Sequence, residues 1–401
     1  MAVGVRVGTV PNAFRTLVVG YSCSAFGNYL NLIALSLYTY HVTGSPLGIG
    51  IVMALRLSAG FTAGLVAGAI VNRFDRRRLM IGTDIAQAAA MVALAVGPED
   101  SVLLGGTAIL LGAGNTLFTV ALRSSIPEMV GADARVRANG LLVSGRSLGT
   151  VLGFASAGII VATGGFAAAF VINAASFLVS AAALAKLRLP TRAVVAERVP
   201  VAARRWPVGI LAVLIVVRGA DALGSASHNM ALPVHAGLVD PANPAVVMSQ
   251  FWAAWAVGSL LAHQLVRRLP GLPTGNRAFA VGTCLMSVCF VLAFTGVPWP
   301  VLIVVAALAG LADGTTEIVY TSRIQAAPDD DRARLFGLSA TAETSGFAIG
   351  MLSSSALLEA LPPLAVVAGF HSIAFLAAAC LLVALLVRRR TTTTVPQGEP
   401  R

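Results

Sequence analysis

Apolar and polar positions divide this chain into long oily runs joined by short polar connections. A bilayer core about 30 Å thick is crossed by about 20 residues of helix. The runs predict twelve such helices, over residues 13–38, 46–71, 79–97, 102–123, 138–163, 166–186, 207–232, 245–266, 277–296, 298–321, 335–358 and 364–387. Turn residues punctuate the joins, as in "TGSP", "GPED", "ATGG" and "LPP". The first run is too long for the core of a cleavable signal, and no clear A-x-A site follows it.

Composition agrees with the pattern. The chain has 401 residues, 57% hydrophobic and 11% charged, and its mean hydropathy is +0.84. A soluble domain carries about 25% charged residues. Of the 28 lysines and arginines, only Arg56, Arg146 and Arg218 lie within helices. With the N-terminus placed inside, every other basic residue falls at a terminus or in an inner connection, and the outer connections hold none. Positive charge is retained on the cytoplasmic side, so the expectation is a multi-pass protein of the cell membrane with both termini cytoplasmic. An odd helix count would scramble this alternation.

The net charge of +11 does not indicate nucleic acid, because no basic stripe interleaved with aromatics lies outside the apolar runs. The four cysteines (Cys23, Cys284, Cys289, Cys380) sit inside apolar runs without metal-ligand spacing, so buried thiols are expected rather than disulfides or zinc. No G-x-x-x-x-G-K-[ST] loop, nucleophile elbow or H-E-x-x-H occurs. The expectation is no enzyme, no catalytic residues, no cofactor and no metal. A small-molecule substrate, protons and the lipid bilayer are the expected partners of a monomer.

The connection 187–206, with prolines and arginines, divides the helices six and six. The boundaries predicted are an N-terminal bundle 1–186, a cytoplasmic linker 187–206, a C-terminal bundle 207–390 and a disordered tail 391–401. The halves echo one another: Arg123, Pro127 and R-x-R-x-x-G at Arg135, Arg137 and Gly140 return as Arg323, Pro328 and R-x-R-x-x-G at Arg332, Arg334 and Gly337. "GAIVNRFDRRR" has a weaker partner in "GSLLAHQLVRR". Two six-helix halves related about the membrane normal are a transporter plan.

With these features the chain resembles the major facilitator superfamily. Gly68, Arg73, Arg76 and Arg77 match its motif G-x-x-x-D-R-x-G-R-[RK], with Asn72 for the aspartate and Asp75 for the second glycine. "RFDRRR" followed by Asp84, the opening "FGNYLNLIALSLYTYHVTGSPLGIG", and "RANGLLVSGRSLGTVLGF" with "FVINAASFLVSAAAL" are similar to the branch of macrolide efflux pumps and the enterobactin exporter. The fifth-helix antiporter motif reads "GTVLGFASAG": Gly149, Gly153 and Gly158 remain, Phe154 stands for the proline and Ala157 for a glycine. The fourth helix lacks the arginine of many proton-coupled members. The resemblance implies an all-α integral membrane fold of twelve helices in two pseudo-symmetric bundles. It also implies a conformational gate at Gly68, Asn72, Arg73, Asp75, Arg76, Arg77, Gly149, Gly153 and Gly158.

Charged groups within a bilayer are functional candidates. Asp313 and Glu317 lie four apart on one helical face and repel, a pair suited to taking up and releasing a proton. With Glu343 and Asp221 they are the candidate proton-coupling residues. Arg218 and Asp221, three apart, either neutralise each other or line a cavity. Asp84 and Arg146 are expected to pair. Asn28, Asn31, Arg56, Asn115, Arg218, Trp252 and Trp255 are candidate substrate contacts; for the amides helix glue, and for the tryptophans packing, is the competing reading. The function predicted is a secondary active transporter exporting a small amphipathic organic compound, such as an antibiotic, natural product or siderophore, by proton antiport. An importer or facilitator, a lipid flippase and a transport-inactive sensor are the alternatives.

Overall fold

A computed structural model describes residues 11–187, 209–269, 275–327 and 329–393. The expected linker beyond Leu187 and the tail from residue 394 lie outside the described residues. Among the described residues the secondary structure is helical, with no strand. Ten helices follow in chain order: α1 (Asn12–Thr43), α2 (Pro46–Arg73), α3 (Arg76–Val96), α4 (Ser101–Ala185), α5 (Ile210–Val239), α6 (Pro244–Arg268), α7 (Asn276–Ala293), α8 (Trp299–Gln325), α9 (Asp329–Leu357) and α10 (Pro363–Thr393). Local chemistry sets the boundaries. Gly44 ends α1 in the left-handed conformation at φ 64°, which glycine adopts without a Cβ penalty. Ser45 then caps α2 by accepting from the Gly48 N–H, with Pro46 behind it. Asp100 caps α4.

α4 holds 85 residues, about 128 Å if straight, and it is not straight. The same length of α1 approaches it twice. A Cβ at Gly149 would lie 2.7 Å from the Ser22 carbonyl oxygen, and one at Gly153 would lie 3.0 Å from the Leu30 nitrogen; here the two segments run parallel. A Cβ at Gly20 would lie 2.8 Å from Ala183, and Gly27 packs on Asn173 and Ser176; here they run antiparallel. The chain reverses between the two at Gly165, with φ 69°.

Among the described residues nine segments are long and apolar enough to cross a bilayer. They lie over ten of the twelve expected spans, because Arg137–Ala185 takes two. The other two expected spans are in α1 and α9, which are long helices but more polar: α1 carries Asn28 and Asn31, and α9 opens on "DDDRAR". Several ends run past their expected limits, α5 and α10 among the furthest. α5 continues through Pro233 to Val239, and α10 continues to Thr393, into the expected tail.

The chain divides into two compact units, Met1–Val201 with Ala236–Ala253, and Ala202–His235 with Ala254–Arg401. The sequence reading places Ala236–Ala253 in the second bundle. It clusters with the first because Gly158 lets the start of α6 come close: a Cβ there would lie 2.8 Å from the Val246 Cα. Ser249 Oγ then donates to the Phe154 carbonyl at 2.6 Å.

Within each unit the same packing recurs. In the first, Gly112 of α4 abuts the backbone of Arg56 on α2; in the second, Gly310 of α8 abuts the backbone of Trp255 on α6. Small residues at such crossings let helices associate by close contact where no hydrophobic force drives them. The first unit buries Phe14, Leu17, Met80, Phe118, Ile126 and Leu184 in one cluster. The second buries Leu214, Val217, Phe279, Val319, Ile324 and Leu381 in another. Outward, Leu65, Ile159, Val216 and Leu376 are 71%, 67%, 66% and 60% exposed, a surface for lipid rather than water.

Candidate functional site

The second unit gathers acids around one arginine. Arg218 on α5 points its guanidinium at four carboxylates from three helices. Nη1 lies 3.0 Å from Asp221 Oδ2 on the same helix and 4.0 Å from Asp313 Oδ1 on α8. Nη2 lies 2.5 Å from Glu317 Oε2, also on α8. Nε lies 3.7 Å from Glu343 Oε2 on α9. The four candidate coupling residues therefore occupy one site. Arg218, expected to contact substrate, is taken up by these acids. Two residues missed in the sequence extend the site: Tyr320 Oη donates to Ser339 Oγ at 2.6 Å, and Ser339 Oγ donates to Glu343 Oε1 at 2.6 Å. Thr321 donates to Glu317 Oε1 at 3.2 Å, and His263 on α6 is within electrostatic range of Asp313. With every carboxylate ionised the site carries a net charge of about −3, which a low-dielectric interior holds only with compensating positive charge.

The first unit has a cavity of about 190 Å³, lined in part by Asn28, Tyr29, Arg56, Asp84, Asn115 and Arg146. Arg146 does not pair with Asp84 as expected. It donates through Nη2 and Nε to the hydroxyl of Tyr29, at 3.0 and 3.3 Å, while Asp84 is buried. Arg56 Nη1, Asn28 Oδ1 and Asp84 Oδ2 are buried with no hydrogen-bond partner among the described residues. Asn31 is fully buried and is not among the residues lining this cavity. Trp252 is buried and stacks on Phe154 with ring centroids 5.6 Å apart. Trp255 brings its backbone against Gly310.

The Major Facilitator Superfamily model matches residues 17–279. The chain belongs to that superfamily and is a multi-pass membrane transporter. It is 25% identical over 379 residues to the enterobactin exporter EntS of Salmonella choleraesuis (strain SC-B67), covering 89% of each chain. It is 24% identical over 380 residues to the multidrug efflux pump Tap of Mycolicibacterium fortuitum, covering 88% of each. Among solved structures, a bacterial homologue of the iron transporter ferroportin has a TM-score of 0.70 at 16% identity, covering 94% of this chain and 98% of that one. A bacterial homologue of the lysosomal transporter Spinster has a TM-score of 0.68 at 14% identity, covering 95% and 96%. These likenesses show the fold.

The superfamily motif after α2 is anchored inside the first unit. Asp75 Oδ1 accepts from the Arg78 N–H at 2.8 Å and caps α3. Arg76 Nη1 donates to the Ser124 carbonyl at 2.9 Å. Arg77 Nε donates to the Leu184 carbonyl at 2.9 Å, and its Nη2 reaches Ala185. The Leu184 and Ala185 carbonyls lie in the last turn of α4, where positive charge is favoured. Arg73 is exposed in the last turn of α2, and a Cβ at Gly68 would meet open space. The side chain of Asn72 lies outside the described residues. Gly149 and Gly153 hold α1, and Gly158 holds the start of α6.

Proposed function

We propose that this transporter exports an amphipathic organic compound across the cell membrane by proton antiport. The two six-helix halves, 1–186 and 207–390, alternate between inward-open and outward-open states in a monomer with both termini cytoplasmic. The observation carrying the reading is the convergence of Asp221, Asp313, Glu317 and Glu343 on Arg218. A site with surplus carboxylates around one fixed cation binds and releases protons as its geometry changes. Uptake of a proton by one acid frees Arg218 to tighten on the others, and a change in helix spacing reverses it. Asn28, Arg56 and Asn115 contact the substrate in the first unit. The export direction is supported by the relatives named as an exporter and an efflux pump.

The test is transport of a panel of fluorescent amphiphiles by reconstituted protein. A compound is expected to move toward the acidic side of an imposed pH gradient, and an uncoupler is expected to abolish uphill movement. Asp313→Asn should lose uphill transport and keep some downhill exchange. Uphill transport by Asp313→Asn equal to the parent, at equal protein level, would overturn the coupling site. Transport by the parent that ignores the gradient would overturn antiport.

A further inference from the structure

The first unit has the opposite electrostatic problem to the second. Its cavity presents the guanidinium groups of Arg56 and Arg146 and one carboxylate, Asp84, and no salt bridge joins them among the described residues. Among the described residues, the neutral hydroxyl of Tyr29 is the one hydrogen-bond partner of the Arg146 side chain. Arg56 Nη1 is buried without one. Guanidinium groups do not shed their charge in proteins, and an uncompensated cation within a bilayer is costly. The remaining polar groups of the cavity are amides, hydroxyls and phenols that can donate or accept, beside apolar Leu32, Phe118 and Phe177. A second cavity, about 420 Å³, shares Tyr21, Thr119 and Arg146 with the first and adds Leu122, Ile126, Leu142 and Val143 together with Arg123 and Asn139. A charged recess therefore adjoins a larger one with an apolar wall, with Arg146 lining both.

We propose that the transported compound is an amphipathic organic anion whose carboxylate is clamped by Arg56 and Arg146 while its apolar body occupies the neighbouring recess. This deepens the export reading, and rests on it for the statement that the bound compound is cargo. Arg fits a planar carboxylate through paired N–H donors, and a ligand of this kind would supply the negative charge the cavity lacks. Asn28, with Oδ1 free and Nδ2 held by the Ser24 carbonyl at 3.0 Å, would accept from a hydroxyl or amide beside the carboxylate and so select for one.

Binding to purified protein separates this inference from the transport reading. The probes are 1-pyrenebutyrate, its uncharged amide and its trimethylammonium analogue, followed by fluorescence. The carboxylate is expected to bind roughly tenfold or more tightly than the amide, and the ammonium compound least. Arg56→Gln and Arg146→Gln should each erase that preference at unchanged melting temperature. Arg56→Lys should keep part of it, which shows that a loss in Arg56→Gln is not misfolding. Equal binding of the three probes, no binding of the carboxylate below its aggregation limit, or an unchanged preference in both Gln variants overturns the anion site. Carboxylate preference without gradient-driven transport would instead overturn proton antiport and leave the anion site standing.

Discussion

Arg77 donates from Nε to the Leu184 carbonyl at 2.9 Å, across 107 positions, and Arg277 donates from Nη2 to the Leu385 carbonyl at 3.0 Å, across 108. Each arginine lies in the first turn of a helix, α3 or α7, and ties it to a second helix of its own unit, the last turn of α4 for Arg77 and the C-terminal part of α10 for Arg277. A charge-assisted bond of this kind contributes about 1.5–3 kcal/mol. Arg77→Ala and Arg277→Ala should therefore lower the melting temperature by similar amounts, several degrees each at roughly 2–4 °C per kcal/mol. The lysine variants should recover less than half, having no fork to place. A large loss in one variant and none in the other, measured by thermal unfolding in detergent, would mean that the two contacts are not structural equivalents.

Glycine substitutions should separate close packing from open space. A Cβ at Gly112 runs into the Arg56 carbonyl, and one at Gly310 into that of Trp255. Ala at either position should cost about 1–3 kcal/mol. Ala at Gly68 or Gly140 meets nothing within 4 Å and gains helix propensity, up to about 1 kcal/mol. Expression yield and melting temperature of the four variants decide it; a Gly68→Ala loss as large as that of Gly112→Ala contradicts the packing argument.

The apolar periodicity was enough to read the helical membrane fold, because a bilayer demands continuous runs and leaves few alternatives. Like-charge spacing also marked Asp313 and Glu317, and both reached the acidic site. What pairs with what was not legible. Arg218 lies closer in sequence to Asp221 than to Glu317, 99 positions away, yet it contacts both. Arg146 was assigned to Asp84 on depth alone, and depth does not say which way a helix face turns; the hydroxyl of Tyr29 took it. Asn31, three positions from Asn28, is buried and lines no part of the cavity that Asn28 lines. The repeat of the halves was partly visible in R-x-R-x-x-G. A clearer signal was missed: "SAFGN" and "SASHN" each place an asparagine whose Nδ2 donates to the serine carbonyl four residues back, at 3.0 and 2.8 Å.

A buried histidine pair in the second unit gives a tautomer prediction. His228 Nδ1 and His371 Nε2 are 3.1 Å apart, and Asn229 Nδ2 lies 3.3 Å from His228 Nε2. An amide nitrogen only donates, so His228 accepts at Nε2, carries its proton on Nδ1 and donates to His371. His371→Leu should strand that donor and cost about 1–3 kcal/mol. The double variant His228→Leu/His371→Leu should recover part of the loss. A double variant as unstable as the sum of the singles would show that the two rings do not depend on one another.

Orientation has a direct test. The proposed topology places Glu99 and Gly164 outside and Ala326, between α8 and α9, inside. Cysteines at the first two positions, in a background lacking the native four, should react with an impermeant maleimide on intact cells. Ala326→Cys should react only after the membrane is opened. Labelling of Ala326→Cys in intact cells reverses the assignment of sides.

Exposure divides the four acids around Arg218 into two roles. The side chain of Asp221 is 5% exposed and sits 3.0 Å from Nη1. Glu317 is 49% exposed and Glu343 36%, with Asp313 intermediate at 26% and 4.0 Å. A carboxylate sealed against a guanidinium cannot exchange protons with water quickly, whereas the others can. Asp221 should therefore be the standing counter-ion of Arg218, and Asp313, Glu317 and Glu343 the groups that load and unload. Asp221→Asn is expected to act first on stability, because removing one member of a buried pair strands the other, a loss of about 3–5 kcal/mol. Asp313→Asn and Glu343→Gln should fold normally and lose uphill transport. Glu317→Gln, at the wettest position, should shift the pH at which transport is half-maximal more than it lowers the maximum. Arg218→Gln should be unstable alone, and Arg218→Gln/Asp221→Asn should recover the fold without recovering gradient-driven transport. Melting curves beside pH profiles of reconstituted protein distinguish the two roles. A stable, uncoupled Asp221→Asn together with a coupled Asp313→Asn would invert the assignment.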